Sequence, residues 1–251
     1  MKTLITGASS GIGRDMAYYL GSKGIDLILV ARRKDELLKI KKELKDVNVE
    51  VIPLDLSVMD NLELLYNETK NKDVDILINN AGFGLFGEFS KTDLETELKM
   101  IDLNIVALHY LTKKFLKLFI KKDSGYILNV ASSAGFMSGP KLSTYYATKN
   151  YVCRLTEAIY QELKMNKSNV KISALCPGPV DTEFNSVAKG EFKTKAASSK
   201  YVAKYAIDNM FKGRLIIVPT FFMKLSLLAA KLAPRKLMLR VVYSIQDKKM
   251  K

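Results

Sequence analysis

Histidine and cysteine are nearly missing from this chain. Its 251 residues include one histidine, His109, and two cysteines, Cys153 and Cys176. The cysteines are far apart in sequence and no ligand spacing links the three, which excludes a zinc site and a disulfide framework. Both cysteines read as small apolar core residues. His109, in the apolar run Ala107-Leu108-His109-Tyr110, reads as a packed or interface side chain. Acid is short as well, with 26 Asp and Glu against 40 Lys and Arg and a formal net charge of +14. Such a balance suits nucleic acid, anionic lipid or acidic substrates. The lysines are spread along the whole chain, and no nucleic-acid module or basic stripe with interleaved aromatics accompanies them. The reading is therefore a Lys-rich solvated surface with no nucleic-acid partner; the densest runs are Lys39–Lys42 and Lys248–Lys251. No apolar run approaches the roughly 20 residues a membrane span needs, since Leu215–Met223 stops at Lys224. Repeats and Pro/Gly-rich linkers are also lacking. A strand follows Met1 almost at once, leaving no room for a signal peptide, so a cytoplasmic location is expected.

Short apolar runs do alternate with helical stretches. The strand candidates are Thr3–Thr6, Asp26–Ala31, Val49–Pro53, Ile76–Asn79, Tyr126–Ala131, Lys171–Leu175 and Leu215–Val218. Most are continuously apolar, as strands covered on both faces are. Helical periodicity falls at Ile12–Lys23, Lys34–Asp46, Leu62–Lys70, Leu94–Ile120, Tyr145–Lys164 and Tyr201–Phe211. This alternation predicts an α/β fold, a doubly wound parallel sheet of about seven strands with helices on both faces. Residues 1–218 carry this alternation, and 219–251 read as a C-terminal extension of the same domain. The irregular stretch Pro177–Lys200 is long for a connection and reads as a mobile active-site loop.

The first strand leads into Thr6-Gly7-Ala8-Ser9-Ser10-Gly11-Ile12-Gly13 and then a helix. Gly7 permits the tight exit, Gly11 lets backbone approach a pyrophosphate, and Gly13 lets helix pack on sheet. The helix N-terminus then faces the anion. Asn79-Asn80-Ala81-Gly82 follows the fourth strand, and Asn129-Val130-Ala131-Ser132 ends the fifth. Thirteen residues after Ser132 comes Tyr145, and four further on Lys149, which places both on one helix face. A phenol with pKa near 10 is a poor acid–base catalyst at neutral pH, and a nearby ammonium favours the phenolate. Tyr145 would then pass a proton to or from a carbonyl oxygen. Tyr146 has Asn150 four residues on and is the weaker candidate, as Ser133 is beside Ser132.

The TGxxxGxG spacing and the ordered motifs after it resemble the short-chain dehydrogenase/reductase family, from Lys2 to about Val218. The resemblance implies a nicotinamide dinucleotide held by Gly7, Ser9, Ser10, Gly11, Ile12 and Gly13. NAD-specific members carry an acid at the end of the second strand. Ala31 stands there, followed by Arg32 and Arg33, and guanidinium forks suit a 2′-phosphate, so the expected cofactor is NADP(H). By the same resemblance Asp55 and Leu56 meet the adenine, and Asn80 belongs to the cofactor floor. Ser132 steadies the developing alkoxide. Asn104 holds, through its backbone carbonyl, a water linked to Lys149. Pro177, Gly178, Val180 and Thr182 orient the nicotinamide. Tyr145 and Lys149 complete the cofactor contacts.

The expected activity is reduction of a ketone or aldehyde to an alcohol, reversibly, with a 3-oxoacyl-thioester reductase of lipid metabolism as the alternative. A non-catalytic NADP-binding regulator is the weaker reading, because Tyr145 and Lys149 are both intact. The helices at Leu94–Ile120 and Tyr145–Lys164 imply, by resemblance, a homodimer or homotetramer. Beyond Pro219, Phe221-Phe222-Met223, Leu225, Leu227, Leu228 and Leu232 form an apolar surface. Lys224, Lys231 and Arg235 line another face until Pro234 breaks the helix. That segment reads as a lid or subunit interface, or as a basic helix in peripheral contact with anionic membrane; each suits an apolar small-molecule substrate.

Overall fold

The computed structural model describes residues 1–184 and 196–247. Seven parallel strands form the central sheet: β1 (Lys2–Thr6), β2 (Asp26–Val30), β3 (Val49–Ile52), β4 (Ile76–Asn79), β5 (Tyr126–Val130), β6 (Lys171–Leu175) and β9 (Ile216–Ile217). Their spatial order is β3-β2-β1-β4-β5-β6-β9. The order reverses between β1 and β4, and crevices at the carboxyl ends of such a switch are where open α/β sheets take ligands. A separate two-stranded ribbon pairs β7 (Val180–Asp181) with β8 (Ala197–Ser198).

Alternate strand residues feed two cores. Ile5, Leu29, Ile78, Leu128 and Leu175 pack on one face with α1 (Gly11–Gly21), α2 (Lys34–Glu43) and α7 (Ser199–Phe211). Leu4, Ile28, Leu77, Ile127 and Ile172 pack on the other with α3 (Met59–Thr69), α5 (Leu108–Lys122) and α6 (Ser143–Met165). Both faces are covered, so the strands are apolar throughout and show little alternation in sequence.

The helix expected over Leu94–Ile120 is divided. Asp93 caps α4 (Leu94–Ile101), its carboxylate accepting from the Thr96 N–H at 2.8 Å. A π-helical segment, Asp102–Ala107, then carries the chain into α5. The left-handed backbone of Asp123 stops α5. The two cysteines, distant in sequence, are neighbours in space: both are buried, with sulfurs 3.7 Å apart. His109 is exposed, its Nδ1 2.7 Å from the Tyr151 hydroxyl, and so is not packed in an apolar setting; apolar neighbours in sequence do not fix the face a helical residue takes.

The C-terminal extension is two helices, α8 (Phe221–Leu232) and α9 (Arg235–Asp247). Ala233, extended before Pro234, separates them, as the residue before a proline tends to be. Arg235 therefore does not continue the Lys224–Lys231 face; it opens the second helix, which the sequence reading did not foresee. Val242 of α9 is buried against Phe86, Leu142 and Tyr146. The Lys248–Lys251 run lies outside the described residues.

Candidate active site

Gly7 and Gly11 both adopt positive φ, +65° and +52°, at the turn from β1 into α1. A Cβ on Gly7 would stand 2.8 Å from the Ala81 Cα, and one on Gly13 would collide with the Asn80 side chain and the Gly7 carbonyl. Gly13 thus lets α1 close on the exit of β4. Gly13→Ala should lower stability by about 1–3 kcal/mol through overpacking, read as a fall in melting temperature. An unchanged Tm would refute the contact argument. Ser10 precedes α1 in extended backbone and makes no side-chain cap bond, so its hydroxyl leaves the first amides of the helix to an anion.

The exit of β4 is tied to this turn. Asn80 Nδ2 donates to the carbonyls of Thr6 and Gly7 at 3.1 and 3.0 Å, and its N–H donates to the Thr6 hydroxyl at 3.0 Å. Beneath it, Asn79 Nδ2 donates to Asn129 Oδ1 at 2.9 Å, and Asn129 donates on to Thr156 at 3.0 Å. This buried chain links β4 and β5 to α6.

At the end of β2 the two arginines part. Arg33 folds over the glycine turn, with Nη2 2.6 Å from Ser10 Oγ and 3.1 Å from Ser9 Oγ. It forms no salt bridge among the described residues. Arg32 is mostly exposed and lies 3.7 Å from the Asp55 carboxylate. Asp55 also accepts from the N–H and hydroxyl of Ser57 at 3.0 and 2.8 Å. Burial works to raise the Asp55 pKa, but those bonds and the Arg32 charge outweigh it and hold the carboxyl below its usual range. Leu56 is buried beside it on the cavity wall.

Tyr145 and Lys149 stand in the first two turns of α6. The Ser132 hydroxyl accepts from the Ala134 N–H at 3.2 Å and lines the cavity with Tyr145, whose pKa it pulls down. Ser133 also lines the cavity, with its backbone N–H on the Pro177 carbonyl at 2.8 Å. Lys149 is buried, its Nζ donating to the Val130 carbonyl at 2.8 Å and lying 5.7 Å from the centre of the Tyr145 ring. Burial lowers its pKa to about 8. The expected lowering of the phenol by this ammonium is not what the bare chain shows. Burial pushes Tyr145 up to about 12, with Ser132 pulling the other way. At this distance desolvation wins over attraction.

Asn104 sits in the π-helical segment, where wide turns often mark functional sites. Its Oδ1 accepts from the Phe83 N–H at 3.1 Å, and its Nδ2 donates to the Phe83 carbonyl at 2.9 Å and to the Thr148 hydroxyl at 3.1 Å. Thr148 in turn donates to the Tyr145 carbonyl at 2.7 Å. The Asn104 side chain therefore clamps backbone on two sides of the site.

Gly7, Ser9, Ser10, Gly11, Arg32, Arg33, Asp55, Asn80, Ser132, Tyr145 and Lys149 line one cavity of about 1450 Å³, larger than the ~300–1,000 Å³ of ordinary small-ligand sites; Gly13 and Asn104, expected in the site, lie behind its wall and hold it in shape. It runs from Arg33 past the glycine turn, Ile12 and Leu56 to Ser132 and Tyr145, and on between α8 and α9. Pro177, Gly178, Val180 and Thr182 form part of its wall. A Cβ on Gly178 would strike Met223 of α8, so that helix rests directly on the turn. Thr182 Oγ1 accepts from the Phe184 N–H at 3.3 Å. Within the expected mobile loop Pro177–Lys200, residues 185–195 lie outside the described residues.

The far wall was not foreseen. Phe184 packs on the Tyr145 ring with centroids 5.4 Å apart. Gln246 of α9, buried, donates to the Tyr146 hydroxyl at 2.6 Å, which ties Tyr146 to α9 as part of the cavity wall. No spacing rule connects Gln246 to Tyr146; only a helical pattern continued past Pro234 would have brought α9 into view.

The sequence profile described as short chain dehydrogenase matches residues 2–191. An uncharacterized oxidoreductase of Staphylococcus saprophyticus is 37% identical over 215 residues, covering 84% of this chain and 83% of that protein. A short-chain dehydrogenase from Sphingobium yanoikuyae, solved in complex with NADPH, superposes with a TM-score of 0.85 at 30% identity, covering 94% of each chain. A short chain dehydrogenase/reductase from Burkholderia phymatum, solved with NAD, has a TM-score of 0.82 at 22% identity, covering 90% of this chain and 91% of that one; this last likeness is one of fold.

Proposed function

The chain belongs to the short-chain dehydrogenase family and is an oxidoreductase, and we propose that within this family it is an NADPH-dependent reductase of an apolar ketone or aldehyde. The observation that carries the reading is one cavity that runs from the Arg33 guanidinium past the glycine turn to the side chains of Ser132 and Tyr145. The residues present fit a phosphorylated dinucleotide. The α1 amides are not capped by a side chain, Gly7 and Gly11 hold the turn open, and Arg33 offers its guanidinium to hydroxyls rather than to a carboxylate. Gly7, Ser9, Ser10, Gly11, Ile12 and Gly13 would hold the pyrophosphate side. Arg33 would hold the 2′-phosphate, Leu56 and Asp55 the adenine side, and Asn80, Lys149, Pro177, Gly178, Val180 and Thr182 the nicotinamide half.

When bound, the reduced nicotinamide supplies hydride to the carbonyl carbon. The chain's own residues do the rest. Ser132 donates to the carbonyl oxygen and stabilises its growing charge. Tyr145 then delivers its proton to that oxygen. Burial raises the phenol's pKa to about 12, so Tyr145 carries its proton at neutral pH. Lys149 has N–H donors beyond the one given to Val130 and sets its ammonium beside the phenol, while the proton that Tyr145 gives up is restored from solvent. The apolar far wall, with Phe184, Met223 and Met238, supports an apolar substrate and gives α8 and α9 the role of a lid.

Loss of NADPH absorbance against a panel of steroids, acyl thioesters and small ketones tests the reading. Turnover with apolar ketones and none with NADPH alone is expected; no consumption with any carbonyl would overturn it. Within the site, Ser132→Ala should slow the chemical step by about 10²–10³-fold, the usual cost of one oxyanion donor. Ser133→Ala should cost less than tenfold. Single-turnover rates decide, and the reverse order would move the role to Ser133.

A further inference from the structure

Helix α8 is apolar on opposite sides. Met223, Ser226, Leu227 and Ala230 line the cavity. Phe221, Leu225, Leu228 and Leu232, at i, i+4, i+7 and i+11, form a second stripe whose members are 80, 55, 57 and 80% exposed. No residue of α8 is buried. In α9, Leu237, Val241 and Ile245 add a stripe at i, i+4 and i+8, all exposed. Phe222, Val241 and Ile245 both line the cavity and reach its exterior, so the cavity opens through this apolar surface. Surfaces of this kind ordinarily mark a partner.

The charges identify it. No Asp or Glu occurs between Asp208 and Asp247, whereas Lys224, Lys231, Arg235, Lys236 and Arg240 do. Asp247 is ion-paired with Lys141. None of those five cations forms a salt bridge among the described residues. A second copy of this chain would meet the face isologously and set like charges against like. An anionic bilayer neutralises them while its acyl region takes the leucines and phenylalanines. We propose that α8 and α9 dock this protein on anionic lipid bilayers, with the cavity mouth turned to the lipid. On the reductase reading, on which this last clause rests, the carbonyl substrate is a lipid-soluble compound drawn from the membrane.

The test is sedimentation of the full chain with vesicles of phosphatidylcholine containing phosphatidylglycerol, against phosphatidylcholine alone. Binding to the anionic vesicles should be at least about tenfold stronger and should weaken with salt. The double variant Leu225→Ser/Leu228→Ser, whose residues lie outside the cavity, should lose about tenfold in vesicle binding while keeping NADPH binding. Lys231→Glu/Arg240→Glu should weaken anionic binding alone, which covers misfolding of the first variant. Equal or absent binding to both vesicle types overturns the proposal. So does a dimer, seen by light scattering, that Leu225→Ser/Leu228→Ser converts to monomer, since a second copy would then occupy the face. The vesicle arm needs no turnover, so failure of the reductase assay and failure of docking are read separately.

Discussion

Tyr145→Phe is expected to cut turnover by about 10²–10⁴-fold, the range general acid–base groups contribute, while the NADPH dissociation constant stays within about threefold. The substitution removes one hydroxyl and little else. The ring keeps its contacts with Phe184, at 5.4 Å between centroids, and with Tyr146, at 6.3 Å. The backbone carbonyl keeps its bond from Thr148. A structural role for the hydroxyl would appear as lost stability, whereas an acid–base role appears in the rate. Alcohol oxidation gives a second reading. It requires the phenolate, and burial holds the Tyr145 proton up to a pKa of about 12 in the bare chain, so oxidation should accelerate with rising pH while reduction does not. That rise should vanish with the hydroxyl. Turnover within tenfold of the parent would sink the assignment.

Arg33→Ala is expected to raise the KM for NADPH by about 10–100-fold, the equivalent of losing charged hydrogen bonds worth ~1.5–3 kcal/mol, and to leave the KM for NADH within about threefold. Arg32→Ala should change both cofactors little. In the sequence the two arginines look equivalent. In the fold both line the cavity, but Arg33 folds onto Ser9 and Ser10 at the glycine turn, and Arg32 turns to the Asp55 carboxylate. Initial-rate kinetics with both cofactors separate them; a larger effect at Arg32 would transfer the phosphate role.

Arg32 and Arg33 illustrate what the sequence leaves open. Strand positions were legible because buried parallel strands are apolar without interruption, and every sheet strand lies within two residues at either end of its expected span. The motif residues were legible because each is fixed by a neighbour a few positions away on the same turn or helix. What depends on contacts between distant segments was not. Gln246 meets Tyr146 only after the whole sheet has formed, and Cys153 meets Cys176 across a helix and a strand. The divided helix at Asp102–Ala107 was missed for a different reason: a π turn changes the winding without changing the composition of the segment. Desolvation of Tyr145 was also invisible, since Lys149 is four residues away in any helix but burial is a property of the packed site.

That π turn takes up one residue more than a regular helix needs. An α-helix advances about 100° per residue, and the wide turn spreads the rotation of one ordinary turn over an extra residue, so α4 and α5 stay in phase across it. Deleting a residue within Asp102–Ala107 would let the stretch rewind as regular α-helix with Leu111, Phe115 and Phe119 still on the core they share with β1 and β4. The loss would fall on Asn104, whose two bonds to Phe83 depend on where the wide turn sets it. The surplus residue serves the site and not the fold.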